Sequence, residues 1–414
     1  MTEVPIADAA WLREPLLSKL LAALDRDGEE ARVVGGAVRN ALMGEPVGEI
    51  DVATTALPEE AVRRVQAAGF RAVPTGIEHG TVTVVADGRS FEVTTLRKDV
   101  ETFGRHAKVA FGRDWTIDAE RRDFTMNALS ASPDGRVHDP VGGLDDLKAR
   151  RVRFIGDADK RIAEDYLRIL RFFRFHAAYG EGPPDADGLA ACIAGRAGLD
   201  QLSRERIRME LLKLVVACHA VPVAAVMTEA GLLIRVLGGV PDLAGLSNMA
   251  KVEAAIGAKP DPVRRLGALG ARISEDAIRL WQRLRLSNAE HDRLAYMVKD
   301  WWRVSPGNDK AARALLYGLG PERFTDRVLL AWSRAAAGAT DAAWRDLVTW
   351  PQSWSAPVFP LKADDFMRRG VKKGPALGEA LRAAEAAWIE ADFPNDGAAI
   401  AAIADAAARS SGGA

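Results

Sequence analysis

The stretch from Val33 to Thr55, VVGGAVRNALMGEPVGEIDVATT, constrains this chain more than any other. Arg32-Val33-Val34 ends a short apolar run and reads as a strand. Gly35-Gly36 follow, then a helical segment from Ala37 to Met43. Glycines carry no Cβ, so a ligand can come close to the backbone there. A helix beginning at that point aims free N–H groups at the ligand, which favours phosphate. Arg39, in the first turn, adds a planar positive fork suited to phosphate oxygens. Gly44, Pro46 and Gly48 punctuate a turn before Glu49-Ile50-Asp51-Val52. On a strand, Glu49 and Asp51 share one face, and Ile50 and Val52 the other. Two carboxylates side by side repel unless a cation lies between them. Magnesium is usually held by one or two carboxylates plus substrate phosphates. Either half alone reads as a polar-faced strand after a glycine turn. The ordered set reads as a magnesium site beside a phosphate cradle.

That set resembles the signature of the polymerase-β-like nucleotidyltransferases. More narrowly, it resembles the class II CCA-adding tRNA nucleotidyltransferases and their poly(A) polymerase relatives, commonly written GGAVRD followed by D-x-D. Asn40 stands here where the family has Asp, and Glu49 replaces the first Asp of the pair. Glu remains a hard oxygen ligand, so metal binding is expected to survive. The resemblance implies that Gly35, Gly36 and Arg39 bind the nucleotide and that Glu49 and Asp51 hold Mg²⁺. A third acidic residue sits on a neighbouring strand in the wider superfamily. Glu92, in Phe91-Glu92-Val93-Thr94, is the candidate, and a solvent-facing Glu on an edge strand is the plain alternative.

Further motifs follow in the family's order. Thr95 to Phe111 (TLRKDVETFGRHAKVAF) is polar, with Gly104 inside, and predicts a mobile loop. It resembles the family's flexible loop through Arg97, Asp99, Gly104, Arg105 and His106, with Phe103 where Asp is usual. Its presence implies an enzyme able to add the final A. Asp118 to Leu129 (DAERRDFTMNAL) resembles the second motif, which makes Arg122 a nucleotide contact and gives Asp123 the ribose hydroxyl. Asp139 to Leu147 (DPVGGLDDL) contains another Gly-Gly, read as a structural turn.

Glu164 to Phe175 (EDYLRILRFFRF) predicts a helix with Glu164 and Arg168 four residues apart, and Asp165 and Arg168 three apart. Spacing alone is also what an amphipathic helix with internal salt bridges would show. The string resembles the family's nucleotide-selecting helix. Asp165 and Arg168 then pair with C or A, while Arg171 and Arg174 serve the triphosphate or support the pocket. Ser203 to Lys213 (SRERIRMELLK) resembles the fifth motif and takes a bracing role. Near the end, Lys372 and Lys373 precede Gly374-Pro375 and an amphipathic helix. Lysines and free N–H groups at a helix start suit an RNA backbone. This part resembles the tail that meets tRNA. The dipeptide His291-Asp292 lacks the companions a metal phosphohydrolase site needs and reads as a surface helix residue.

The rest of the chain sets bounds. Lys plus Arg (56) nearly balance Asp plus Glu (57) over 414 residues, so any RNA binding uses local patches. Cys192 and Cys218 show neither metal spacing nor a disulfide framework, which fits a reducing cytoplasm. No signal peptide and no membrane-length apolar run is read. Leucines at 12, 16, 20 and 24 predict a helix over 8–30. Strands are expected at Val33-Val34, Ile50–Ala53, Thr81–Ala86 and Ser90–Leu96, with a helix opened by Pro58. After Asp159 nearly all periodicity is helical.

The expected fold is α+β: an N-terminal helix (1–30), a small mixed-sheet nucleotidyltransferase head (31–150), a helical neck (151–260), and a helical body and tail (261–414). The expected function is templateless addition of CCA to the tRNA 3′ end from CTP and ATP. No membrane and no obligate protein partner are expected. A CC-only or A-only enzyme is an alternative. So is a poly(A) polymerase, although the Arg-rich helical signature and basic extension of those enzymes are absent. A non-catalytic RNA-binding relative would have lost the carboxylates.

Overall fold

Side-chain alternation decides which residues of the first 150 meet the core. In the computed structural model, which describes residues 6–103 and 106–411, the order begins α1 (Pro15–Leu24), β1 (Ala31–Val34), α2 (Gly36–Met43), β2 (Asp51–Thr54), α3 (Pro58–Ala67). Then come β3 (Arg71–Gly76), β4 (Thr81–Ala86), β5 (Arg89–Thr95), β6 (Arg97–Phe103) and β7 (His106–Phe111). The mixed region closes with α4 (Trp115–Glu120), β8 (Ser130–Ala131), β9 (Val137–His138) and α5 (Gly143–Lys148).

Seven strands form one sheet in the order β3-β4-β5-β2-β1-β8-β9. β2 and β5 are parallel, while β1 runs antiparallel to both β2 and β8. Val33, Val52, Val93 and Val82 are successive cross-strand partners, each no more than 1% exposed. α1 and α3 pack beside this row. Burying each valine side chain contributes roughly 1.5–3 kcal/mol. One residue along, Val34, Asp51, Glu92 and Thr83 form the adjacent row. The period of two turns that row to the opposite face, so the hydrophobic register of the sheet fixes where the carboxylates point.

Four expectations change. The first helix covers only Pro15–Leu24, because Pro15 opens it and the Glu14 carboxylate accepts from the Leu16 and Leu17 amides. The expected loop over 95–111 is instead the antiparallel pair β6 and β7, joined in register from Arg97↔Phe111. Polar residues do not oppose a strand in a two-stranded ribbon, which has no core face to fill. Gly104 and Arg105, and the side chains of Asp99 and His106, lie outside the described residues. The second Gly-Gly is not a bare turn: Gly142, at φ 78°, caps α5, and Asp139 accepts from the Gly143 and Leu144 amides.

The fourth change concerns the selecting helix, which is broken. α6 (Ala158–Glu164) stops, Asp165 is extended at φ −155°, and α7 (Leu167–Tyr179) begins anew. The Asp165 carboxylate accepts from the Leu167 amide at 3.1 Å, a local bond that competes with helix continuation. α8 (Ala186–Gly195), α9 (Arg204–Val215), α10 (Ala220–Glu229) and α11 (Leu232–Leu237) follow. Phe124 lies 5.0 Å from Phe154 and 5.2 Å from Phe175, and Phe154 stacks on Phe172 at 5.4 Å. This aromatic cluster fixes α7 against the segment carrying Arg122 and Asp123.

The chain divides into two compact units, Met1–Val236 and Leu237–Ala414. Among the described residues, all ten elements of the second unit are helices: α12 (Leu243–Ala255), α13 (Pro262–Gly270), α14 (Ser274–Leu284), α15 (Asn288–Val298), α16 (Asp309–Leu319), α17 (Pro321–Arg334), α18 (Ala342–Ser353), α19 (Ala363–Met367), α20 (Pro375–Glu390) and α21 (Gly397–Ser411), apart from one short 3-10 turn. Asp326 binds Arg264 and Arg293, and Trp332 stacks on Trp344. A small core of its own, with Phe366, Val371, Ala380 and Ala404, joins α19, α20 and α21. Among the described residues no helix is long and apolar enough to cross a membrane.

Candidate active site

The site is built where β1 ends and β2 begins. Gly35 takes φ 69°, a left-handed value that a residue with a Cβ rarely adopts, and its amide donates to the Leu129 carbonyl at 3.0 Å. A Cβ placed there would stand 3.3 Å from an Arg122 nitrogen. Gly35 therefore serves both the turn and the approach of Arg122. α2 starts at Gly36 and ends at left-handed Gly44. The glycine turn, the helix start and the Arg122 guanidinium thus converge in a cradle whose chemistry would suit phosphate.

Opposite this cradle stand the carboxylates. Asp51 is the cross-strand partner of both Val34 and Glu92. Glu49 precedes the strand in an extended segment, and Glu49, Asp51 and Glu92 are exposed while Ile50 is buried. Partial desolvation, then repulsion from Glu92 and from Glu49, raises the Asp51 carboxyl above its ordinary value, with Arg122 opposing. Among the described residues no three acidic, His or Cys side chains close into a metal cage. The mutual repulsion here is what a divalent cation relieves, and an open set of carboxylates completed by substrate phosphates suits Mg²⁺.

Arg39 lies elsewhere than a free phosphate fork would. It is 6% exposed, and its guanidinium donates to Asn127, to Asn40 and to the Tyr179 hydroxyl at 2.8 Å. The same group lies 4.0 Å from the Tyr179 ring. Burial lowers its pKa from the ordinary arginine value. Asn40, the departure from the family's Asp, accepts from Arg39 and donates to the Pro46 carbonyl at 3.0 Å. An aspartate could not make that second bond. It ties the turn leading to Glu49 onto α2.

Arg122 donates to the Asp118 carboxylate and the Asn127 carbonyl while remaining partly exposed. Asp123 is buried; it accepts from Asn127 at 3.0 Å and from Arg171 at 2.7 Å. Burial works to raise its carboxyl, but Arg171, Asn127 and the Phe124 amide hold it below the usual range. Arg174 pairs with Glu210 of α9. Arg171 and Arg174 are thus engaged by protein carboxylates.

The side chains of Asp165 and Arg168 do not bond each other, although the Arg168 amide donates to the Asp165 carbonyl at 3.0 Å. Asp165 accepts from Arg206 of α9 at 2.6 Å, whereas Arg168 pairs with Glu164 and donates to the Arg161 carbonyl. Arg161 in turn donates to the Arg121 and Arg122 carbonyls. Asp165 lines a cavity of about 700 Å³ with Glu164, Tyr166, Arg206 and Met209. Arg206 and Tyr179 are the residues that sequence reasoning missed. Arg206 falls in the bracing stretch of α9, with no spacing that ties it to Asp165, and Tyr179 carries no signal. In the second unit, Lys372 and Lys373 are exposed just ahead of α20, and His291 packs on Trp281 at 4.8 Å.

Known proteins show the same organisation. Residues 31–153 match the family model described as the poly A polymerase head domain, and residues 186–245 match one described as a probable RNA- and SrmB-binding site of polymerase A. The mouse mitochondrial CCA tRNA nucleotidyltransferase 1 is 34% identical over 383 residues, covering 91% of this chain and 87% of the relative. A CCA-adding enzyme of Limosilactobacillus fermentum is 32% identical, with 91% and 93% covered. The crystal structure of the Bacillus stearothermophilus CCA-adding enzyme in complex with CTP superposes with a TM-score of 0.75 at 28% identity, covering 95% and 97% of the two chains.

Proposed function

The chain belongs to the CCA tRNA nucleotidyltransferases, and from that premise we propose how its residues divide the work. The reaction is templateless addition of C, C and A to the 3′ end of tRNA from CTP and ATP. The RNA 3′-hydroxyl attacks the α-phosphorus and pyrophosphate leaves. The observation that carries the assignment is the open row: Asp51 faces Glu92 across the strands, beside Gly35 and Arg122.

Glu49 and Asp51, with Glu92 facing Asp51, would hold Mg²⁺, which when bound neutralises triphosphate charge and acidifies the attacking hydroxyl. The Gly35-Gly36 backbone and Arg122 hold the phosphates. Arg39 positions α2 through Asn127 and Tyr179. Asp123 stands next to Arg122, where a ribose hydroxyl would meet it, and Arg171 keeps it ionised. Asp165 and Arg168 read the base edge, with Arg206 presenting Asp165, and Arg171 and Arg174 bracing the helix. Catalysis by positioning and charge needs no covalent nucleophile.

We assign 1–30 to the N-terminal helix, 31–150 to the catalytic head, 151–260 to the neck and 261–414 to a body and tail that bind tRNA. Lys372 and Lys373 contact the RNA backbone in this reading. Both cysteines are free thiols, which supports a reducing compartment, the cytoplasm, testable by fractionation.

The assay that tests the function mixes the protein and Mg²⁺ with tRNA transcripts ending before CCA, after C and after CC. CTP and ATP are supplied separately and together, and product lengths are read on a gel. Three additions and a stop are expected. Arrest after two, or activity only on the CC end, would make it a restricted enzyme. A long A ladder would make it a poly(A) polymerase, and no product would return it to RNA binding alone.

A further inference from the structure

The catalytic row continues past the carboxylates. Reading across the strands from Glu92, the partners are Asp51, Val34, Ser130 and His138. Strands lie about 4.8 Å apart, so Ser130 stands about 10 Å from Asp51 on the same face. There the sheet forms the floor of a second pocket of about 610 Å³, walled by α4, β9 and α5. It lies within the first unit and is separate from the Asp165 cavity.

Its rim carries weakly paired cations. Arg136 and Lys148 border it, each exposed and paired only at 3.9 Å with an exposed aspartate. Pairs of that kind contribute little. Arg32 lies 4.0 Å over the Trp115 ring at the pocket wall. Two of the three lining acids are committed, Asp118 to Arg121 and Arg122, and Asp139 to the Gly143 and Leu144 amides, while Asp145 shares the weak pair with Lys148. Ser130 is 6% exposed and lines the pocket, and its hydroxyl makes no hydrogen bond among the described residues. Lining the pocket, this hydroxyl can donate to a ligand's acceptor or to a water. Burial lowers the His138 pKa, the positive charges of Arg32 and Arg136 add to it, and Asp134 and Glu30 oppose them.

We propose that this pocket binds a phosphate-bearing group beside the reaction centre: a nucleotide unit of the RNA strand being extended, or the pyrophosphate that leaves. The proposal rests on the nucleotidyltransferase reading. The volume is in the range of pockets that take whole nucleotides, while the weakly paired cations and the Ser130 hydroxyl suit phosphate oxygens.

The test uses the full chain and the double variant Arg136→Ala/Lys148→Ala, both surface positions. Two kinetic quantities are measured: KM for a tRNA transcript ending in CC, and inhibition by added pyrophosphate. The His138 imidazole NMR signal is followed during titration with each probe. If the RNA strand occupies the pocket, the variant raises the RNA KM about tenfold with kcat preserved, and RNA shifts the His138 signal in the unaltered protein only. If pyrophosphate occupies it, inhibition weakens by a similar factor instead. Unchanged kinetics together with a His138 signal that ignores both probes would overturn the proposal. A protein that adds no nucleotide to any transcript would sink the function reading itself. The His138 titration with pyrophosphate would then still decide the pocket.

Discussion

The two halves of the site handle charge in opposite ways. At the sheet, Glu49, Asp51 and Glu92 are exposed, and partial desolvation together with repulsion among them raises Asp51. Along α7 nearly the reverse holds: Asp123 is bound by Arg171, Asp165 by Arg206, Glu210 by Arg174 and Glu164 by Arg168. Unpaired like charges on a rigid sheet are a place for cations and developing charge. Closed ion pairs between helices are a pre-set geometry that a base edge must join or replace. In the proposed division of work, chemistry and choice then rest on different physics, and substitutions in the two places should fail differently.

The largest effect is expected on the sheet. Asp51→Ala should lower the rate of nucleotide addition by about a thousandfold or more, since the electrostatic term it serves is worth several kcal/mol. Binding of tRNA, measured by filter retention, should be unchanged. Retained activity would break the assignment of the open row.

Next comes the buried pair. Asp123→Ala leaves Arg171 partly buried with only its 3.9 Å contact to Glu210, and should cost about 3 kcal/mol, at the low end for a broken buried pair because Glu210 and solvent remain to it. Denaturant unfolding measures it. The Asp123 carboxyl is held below its ordinary value. Its contribution is therefore full at neutral pH and is lost only as pH falls from about 4 through the depressed value.

A smaller effect is expected for Arg206→Ala. Freed from Arg206, Asp165 keeps only its local bond to the Leu167 amide. The ratio of kcat/KM for CTP and ATP on matched transcripts should change by about tenfold, with a much smaller change in the rate with the preferred nucleotide. An equal loss for both nucleotides would make Arg206 a brace alone.

The smallest effect sharpens the contrast. Glu92→Gln removes one repelling charge, so the Asp51 carboxyl should titrate lower by NMR. The sign follows from linkage. A carboxylate raised by folding costs stability at neutral pH, and that cost is relieved as pH falls through the raised value. The E92Q variant should show less of this relief. An unmoved Asp51 titration would show that Glu92 does not act on it.

Much of the head was legible in the sequence because its register is dictated by valines at every second position and its turn by two glycines. That Asp51 and Glu92 point away from the valine face follows from that pattern, whereas their pairing across β2 and β5 does not. The flanks of α7 were not legible in the same way. Periodicity runs an unbroken helix from Glu164 through Arg168, whereas extended Asp165 breaks it and its carboxylate accepts from the Leu167 amide. Arg39 shows a second limit. Its place behind a glycine turn suggests a ligand, but Tyr179, 140 residues away, takes the guanidinium. No spacing rule encodes a partner that only tertiary packing supplies. The ribbon over Arg97–Phe111 was missed because polarity was read as a loop, and a two-stranded element tolerates polarity on both faces.

The central claim is the separation of chemistry from choice, and one pair of variants tests it. Asp51→Asn and Arg168→Ala would be compared by single-turnover addition of C and of A to matched transcripts. Asp51→Asn should slow both additions by the same factor and leave their ratio intact. Arg168→Ala should shift the ratio by more than it slows the preferred addition. The reverse pattern, a ratio altered by Asp51→Asn and a uniform loss from Arg168→Ala, would contradict the account.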